Sequence, residues 1–245
     1  MEIGAQLYTK KDYCKNLDEL SLSLKKIADI GYKYVQISGT CPFEAKWLKK
    51  ELDKNGLKCV LTHNPFDRII NDTVSLSKEH DVLGCKYVGL GHYAWDDNQT
   101  FEKFFDIVPP ALQKLKDNGK YFMYHNHWHE YRKINGKLII EYMAEIPSDL
   151  LGFTLDTYWV QGSGADPAEW IEILSGRVPC IHLKDFAFDK KMAVIGEGNI
   201  NFDRVFKSAE KAKTEYMLVE QDDTYGEDPF ECLKRSYLFL KSRGF

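Results

Sequence analysis

Phe101-Glu102-Lys103-Phe104-Phe105-Asp106-Ile107-Val108 opens a stripe that runs on through Leu112 and Leu115, stops at Asn118-Gly119, and gives way to Tyr121-Phe122-Met123-Tyr124 before His125-Asn126-His127. The apolar residues of the first part recur three and four apart, as on one face of a helix, and Asn-Gly is a common helix stop. The second part is apolar at every position, the pattern of a strand covered on both sides. The unit therefore reads as helix, stop, buried strand and polar tip.

The same unit recurs in both directions from there. Apolar runs appear at Ile3–Tyr8, Tyr34–Ile37, Leu57–Leu61, Lys86–Leu90, Tyr121–Tyr124, Gly152–Leu155, Cys180–Leu183 and Tyr216–Val219, and each of the first seven precedes a longer amphipathic stretch. Leu17, Leu20, Leu24, Ile27 and Ile30 keep helical spacing up to Gly31, and Trp47, Leu48 and Leu52 lead to Asn55-Gly56. Eight alternating β and α units predict an α/β fold, a single (β/α)8 TIM barrel over residues 1–245. An open dinucleotide-binding sheet would want G-x-G-x-x-G after the first strand, where the chain reads Ala5-Gln6-Leu7-Tyr8-Thr9-Lys10.

The 245 residues are 44% hydrophobic and carry a formal charge of −4, with basic and acidic residues interspersed. That balance predicts no nucleic-acid partner and favours a small neutral or weakly charged substrate. No apolar stretch approaches the roughly 20 residues needed to span a bilayer, and the N-terminus has no signal-peptide pattern, so no membrane partner and a cytoplasmic location are expected. The six cysteines form no C-x-x-C pair and read as reduced thiols. A homo-oligomer is compatible with the sequence, which does not specify one.

In such a barrel, chemistry gathers at the C-terminal ends of the strands. Those ends carry Tyr8; Ser38 and Gly39; His63, Asn64 and Phe66; His92 and Tyr93; His125, Asn126, His127, Trp128 and Glu130; Asp156, Tyr158 and Trp159; His182, Lys184 and Asp185; and Glu220, Gln221 and Asp222. Of the seven histidines, five fall at strand ends, His129 lies beside them, and His80 lies on a helical stretch. His125, Asp156, His182 and Glu220 each sit within a residue or two of the end of one apolar run. Imidazole and carboxylate donors aimed from neighbouring strands suit one divalent metal ion: Zn, Mn, Co or Mg.

Read in order, several motifs resemble the xylose isomerase-like barrel superfamily, and within it the sugar phosphate isomerase/epimerase branch. They are Gln6-Leu7-Tyr8, Ile30-Gly31-Tyr32, His125-Asn126-His127-x-x-Glu130, Leu155-Asp156-Thr157-Tyr158-Trp159, Gly164-x-Asp166-Pro167, Arg177-x-Pro179-x-x-His182-Leu183-Lys184-Asp185, Gly196-Glu197-Gly198 and Val219-Glu220-Gln221-Asp222. The resemblance implies one divalent ion held by Glu, Asp, His and Glu from strands five to eight, with two carboxylates moving protons. The last three ligands fall on Asp156, His182 and Glu220. The first falls on His125, a departure, with His127 and Glu130 as alternative ligands. Endonuclease IV belongs to the same superfamily, but its Asp-x-His before Gly-Glu-Gly is replaced here by Lys190-Lys191-Met192-Ala193-Val194-Ile195.

A site of this kind suits proton removal α to a carbonyl through a metal-stabilised enediolate, as in a carbohydrate isomerase or epimerase. Glu220 is the expected base, and His127, Glu130 and Lys184 are the candidates for the opposite face of the substrate. A lyase or dehydratase on a keto sugar or 3-keto glycoside would use the same enolate, with Lys184 or His63 as the acid. A non-catalytic sugar-binding barrel is the reading from another class. Tyr8, His63, His92, Trp128 and Trp159 are the expected substrate-binding residues, and Phe66, Tyr93, Trp95 and Tyr158 offer further flat faces for a sugar ring. Gly196-Glu197-Gly198-Asn199 reads as a turn before a helix near Asn201.

Overall fold

The computed structural model describes residues 1–96 and 98–245. Eight strands, β1 (Glu2–Gln6), β2 (Tyr34–Ile37), β3 (Lys58–His63), β4 (Tyr87–Leu90), β5 (Tyr121–His125), β6 (Leu151–Asp156), β7 (Cys180–Leu183) and β8 (Tyr216–Val219), pair in parallel with their sequence neighbours. β1 also pairs with β8, Ala5 opposite Val219, so the sheet closes on itself as a (β/α)8 barrel.

Helices, among them α2 (Ala45–Lys54) and α5 (Asn98–Asp117), cover the outside through the stripes read from the sequence. In α1 (Leu17–Ile30), Leu20, Leu24 and Ile27 are buried, Asn16 caps the N-terminus by accepting from Glu19 N, and Gly31 ends the helix with φ of +121°. Inside the barrel, Leu61, Tyr87, Met123, Cys180 and Leu218 form an apolar floor with Tyr34, Tyr121 and Tyr216 packed against it. Gly4 makes room there, because a Cβ would lie 2.7 Å from Leu218 and 2.8 Å from the Tyr34 carbonyl. With the lower end of the interior filled, the strand tips at the upper end are where a barrel of this kind places its chemistry. A second cavity of about 540 Å³ lies on the opposite face, around Lys86, Tyr121 and Glu215.

The connections depart from the expected regular alternation. The third and sixth each hold two helices, α3 (Phe66–Asn71) with α4 (Thr73–Leu83), and α7 (Thr157–Gly162) with α8 (Pro167–Ile173). The fifth lacks the expected long amphipathic helix. It contains a 3-10 turn at His129–Tyr131, a small hairpin pairing Lys133–Ile134 with Lys137–Leu138, and a five-residue helix, α6 (Ile139–Met143). Asn135 and Gly136 adopt φ of 50° and 83° at the hairpin tip, the conformation that Asn-Gly favours, and this local turn interrupts any helix. β1 ends at Gln6, whose side chain accepts from Tyr8 N at 2.6 Å and starts a 3-10 helix.

The Asp185 carboxylate accepts from the backbone N–H of Phe186, Gly196, Gly198 and Ile200, so it organises the Gly196-Glu197-Gly198 turn before α9 (Phe202–Lys211). Glu197 pairs outward with Arg235 at 2.9 Å. All six cysteines are free thiols, and no helix among the described residues is long and apolar enough to cross a membrane.

Candidate metal centre at the barrel mouth

The tips of β5, β6, β7 and β8 bring His125, Asp156, His182 and Glu220 together. One donor atom from each lies within 4.8 Å of the others, and all four side chains are buried. Asp156 Oδ1 accepts from Trp159 N at 3.0 Å, capping α7, and Oδ2 faces the centre. Glu220 Oε1 accepts from Gln6 Nε2 at 2.9 Å, while Oε2 has no hydrogen bond.

The imidazoles are fixed in the same way. His125 Nδ1 lies 3.0 Å from the Gly91 carbonyl, and a carbonyl accepts only from N–H, so Nε2 carries the lone pair, 3.1 Å from Asp156 Oδ2. His182 Nε2 donates to Gln36 Oε1 at 2.6 Å, which leaves Nδ1 as the lone-pair atom, 2.7 Å from Glu220 Oε2 without hydrogen-bond geometry. In the neutral forms of the two rings, two nitrogen lone pairs therefore face two carboxylate oxygens, an arrangement that needs positive charge between them, from a cation or from a proton on His182 Nδ1. A divalent cation fits this donor set and its outer support, in which every ligand is oriented by a second protein group.

Lys184 Nζ brings one positive charge, lying 3.3 Å from Asp156 Oδ2, 3.1 Å from Glu220 Oε2 and 2.8 Å from Asp222 Oδ2. Burial alone would raise the pKa of Asp156 and Glu220, but the Lys184 ammonium and the neighbouring imidazoles hold both below the usual carboxylate range. Burial would lower His182, and the carboxylates of Glu220 and Asp156 outweigh it and raise the pKa. Asp222 moves the other way: burial and the nearby Glu220 charge push its carboxyl up to about 7.

Above the centre opens a cavity of about 570 Å³. Tyr8, His63, His92, His127, Trp159 and Lys184 line it, with His125 and Glu220 at its base; Phe66 also reaches it. Other expected residues lie elsewhere. Glu130 is buried beneath the loop, where it accepts from Trp95 Nε1, Tyr124 Oη and His127 N, each at 2.7 Å, and has no free oxygen for a substrate or an ion. Trp128 is 55% exposed and packs on His129, outside the cavity. Tyr93 and Trp95 are buried against Phe104, and Tyr158 donates to the Lys190 carbonyl.

Residues not selected from the sequence complete the site. Gln6 and Gln36 orient Glu220 and His182, Asn126 Oδ1 accepts from Asp156 N at 3.0 Å, and Ser38 Oγ contacts His63 Nδ1 at 3.1 Å. Gln6 and Gln36 were visible as polar residues inside apolar strand runs, a pattern that marks inward-facing amides needing partners. Asp222 stood one residue beyond the last expected ligand's neighbour, and only its packing against Lys184 distinguishes it.

Residues 24–243 match the family described as xylose isomerase-like TIM barrel. An inosose dehydratase of Clostridium beijerinckii is 22% identical over 90% of this chain and 88% of its own length. A crystal structure of a sugar phosphate isomerase/epimerase from Parabacteroides distasonis superposes with a TM-score of 0.83 at 23% identity, covering 99% of this chain and 94% of the other. A zinc-bound IolI protein superposes with a TM-score of 0.75 at 16% identity, covering 99% and 97%. With nearly the whole barrel matched, the chain belongs to the xylose isomerase-like TIM barrel family.

Proposed function

We propose that this barrel is a divalent-metal-dependent isomerase or epimerase of an unphosphorylated keto sugar, working by proton abstraction α to the carbonyl. The observation that carries the reading is the set of four donor atoms within 4.8 Å, with two imidazole lone pairs turned toward two carboxylate oxygens at the base of a polar cavity. A divalent ion held by His125, Asp156, His182 and Glu220 would supply Lewis-acid polarisation of the substrate carbonyl.

The chain's own groups divide the remaining work. Lys184 stays charged among its three carboxylates, since their attraction raises its pKa despite burial, and so acts as a fixed positive charge or proton donor rather than a base. Asp222 lines the cavity and, at about 7, is matched to accept and return a proton near neutral pH. His127 is neutral, pushed down to about 2 by burial and His125, and offers hydrogen bonds more readily than proton transfer. Among the described residues, Lys184 is the only lysine or arginine lining the cavity, and its ammonium is already engaged, which favours a neutral polyol over a phosphate ester. Tyr8, Phe66 and Trp159 supply flat faces for the ring.

Dehydration is the second reading, supported by the likeness to an inosose dehydratase. It needs the same proton abstraction, with Lys184 or protonated Asp222 donating to the departing hydroxyl. Incubation of metal-loaded protein in D₂O with neutral keto sugars and a keto-cyclitol tests both. Deuterium gain at the α carbon with recovery of an isomer supports the first; loss of water supports the second. Absence of both, with metal bound, refutes the enzyme reading.

A further inference from the structure

Three imidazoles meet on the cavity rim outside the four-residue centre. His92 follows β4, and His127 and His129 lie on the loop after β5. The ring centroid of His92 lies 5.3 Å from that of His127 and 5.9 Å from that of His129, and the latter two are 6.4 Å apart. The rings stand edge to face, with interplanar angles of 87°, 68° and 73°. Among the described residues, none of the three imidazoles has a hydrogen-bond partner, and His127 Nδ1 is buried without one. A buried imidazole nitrogen left in this state calls for an occupant.

We propose that His92, His127 and His129 form a second transition-metal site on the rim of the cavity. At a Zn–N bond of about 2.0–2.1 Å, three imidazoles around one tetrahedral ion hold their ring centroids roughly 5 Å apart. The three rings stand near that spacing, and side-chain rotation has to bring their nitrogens together, since among the described residues only the deep centre already has converged donor atoms. The backbone is already held for it. Glu130 accepts from His127 N, Trp95 and Tyr124, and Arg132 Nη2 donates to the Trp95 carbonyl at 2.8 Å, which ties the loop bearing His127 and His129 to the segment after His92. This gives buried Glu130 a purpose outside the cavity, as the positioning residue of the histidine loop.

The donor chemistry separates the two sites. Three imidazole nitrogens with no carboxylate select zinc, cobalt, nickel or copper over magnesium, whereas the deep centre, with two carboxylates, also accepts hard cations. Three protein ligands leave a fourth position, and His92 and His127 both line the cavity, so that position opens toward a ligand's oxygen atoms. This site does not depend on the proposed reaction.

Equilibrium dialysis against zinc, with elemental analysis of the dialysed protein, tests the proposal. Wild-type chain is expected to take up two zinc ions, a His92→Ala/His129→Ala double variant one, and a Glu220→Gln variant to lose the deep ion while keeping the rim ion. Circular dichroism checks that the variants are folded; His92 is exposed and His129 half-buried, so neither holds the core. One zinc ion in the wild type that survives the double substitution overturns the rim site and leaves the deep centre standing. One zinc ion lost on the double substitution supports the rim site and counts against the deep centre. Two ions retained by the folded double variant also overturn it.

Discussion

Replacing Gln36 by Leu separates metal binding from stability. Gln36 is fully buried on β2; its Oε1 accepts from His182 Nε2 at 2.6 Å, and its own Nε2 has no partner. The substitution strands the His182 N–H, at about 1–3 kcal/mol for an unsatisfied buried donor, but it also removes the unpartnered Gln36 amide, which carries a penalty of the same size. These offset, so the metal-free protein should keep its stability to within about 1 kcal/mol. Metal affinity has no such compensation. Without its acceptor, His182 can place the proton on Nδ1, toward Glu220, and loss of an outer partner of this kind weakens binding about 10–100-fold, or roughly 1.4–2.7 kcal/mol. Urea unfolding of metal-free protein and competition with a fluorescent zinc chelator give the two quantities. Unchanged zinc affinity, or a large fall in metal-free stability with no fall in affinity, would refute the reasoning.

Three other outcomes are expected. Gly91→Ala places a Cβ 2.7 Å from His63 Nδ1 and disturbs the carbonyl that orients His125, so zinc affinity should fall about tenfold in a folded protein; unchanged affinity tells against that orienting role. Arg177, half-buried, donates to the carbonyls of Ala144, Ile146 and Leu151, and Arg177→Ala should cost about 3 kcal/mol in urea unfolding, with a loss under 1 kcal/mol counting against it. His80 is buried in α4 between Thr62 and the Leu76 carbonyl, and burial lowers its pKa to about 4. The unfolded chain therefore takes the proton first, and stability should fall as pH drops from about 6.5 to about 4 and then level off, with His80 contributing about 3 kcal/mol. An NMR titration showing His80 protonated at pH 6 would contradict this.

The eight strands and the helices over Leu17–Ile30, Ala45–Lys54, Asn98–Asp117 and Phe202–Lys211 were legible because apolar periodicity is a local property: each run needs to bury its own faces whatever its neighbours are. The strand-end rule then located His125, Asp156, His182 and Glu220, since parallel closure points the tips of β5 to β8 at one mouth. The fifth connection departs from that pattern because the Asn135-Gly136 turn folds the segment into a hairpin instead of a helix.

The amino-acid sequence by itself thus determined a barrel and the strand tips from which its polar groups project. Tertiary structure decided which of those groups share a centre. Glu130 and Trp128 come from the same segment as His125, yet one turns inward beneath the loop and the other outward to solvent. Gln6 and Glu220, 214 positions apart, meet because β1 closes on β8. Lys184 meets Asp156, Glu220 and Asp222 in the same way. Side-chain direction at a strand tip depends on long-range closure and on which buried donors find acceptors, and neither is written in the period of a single run.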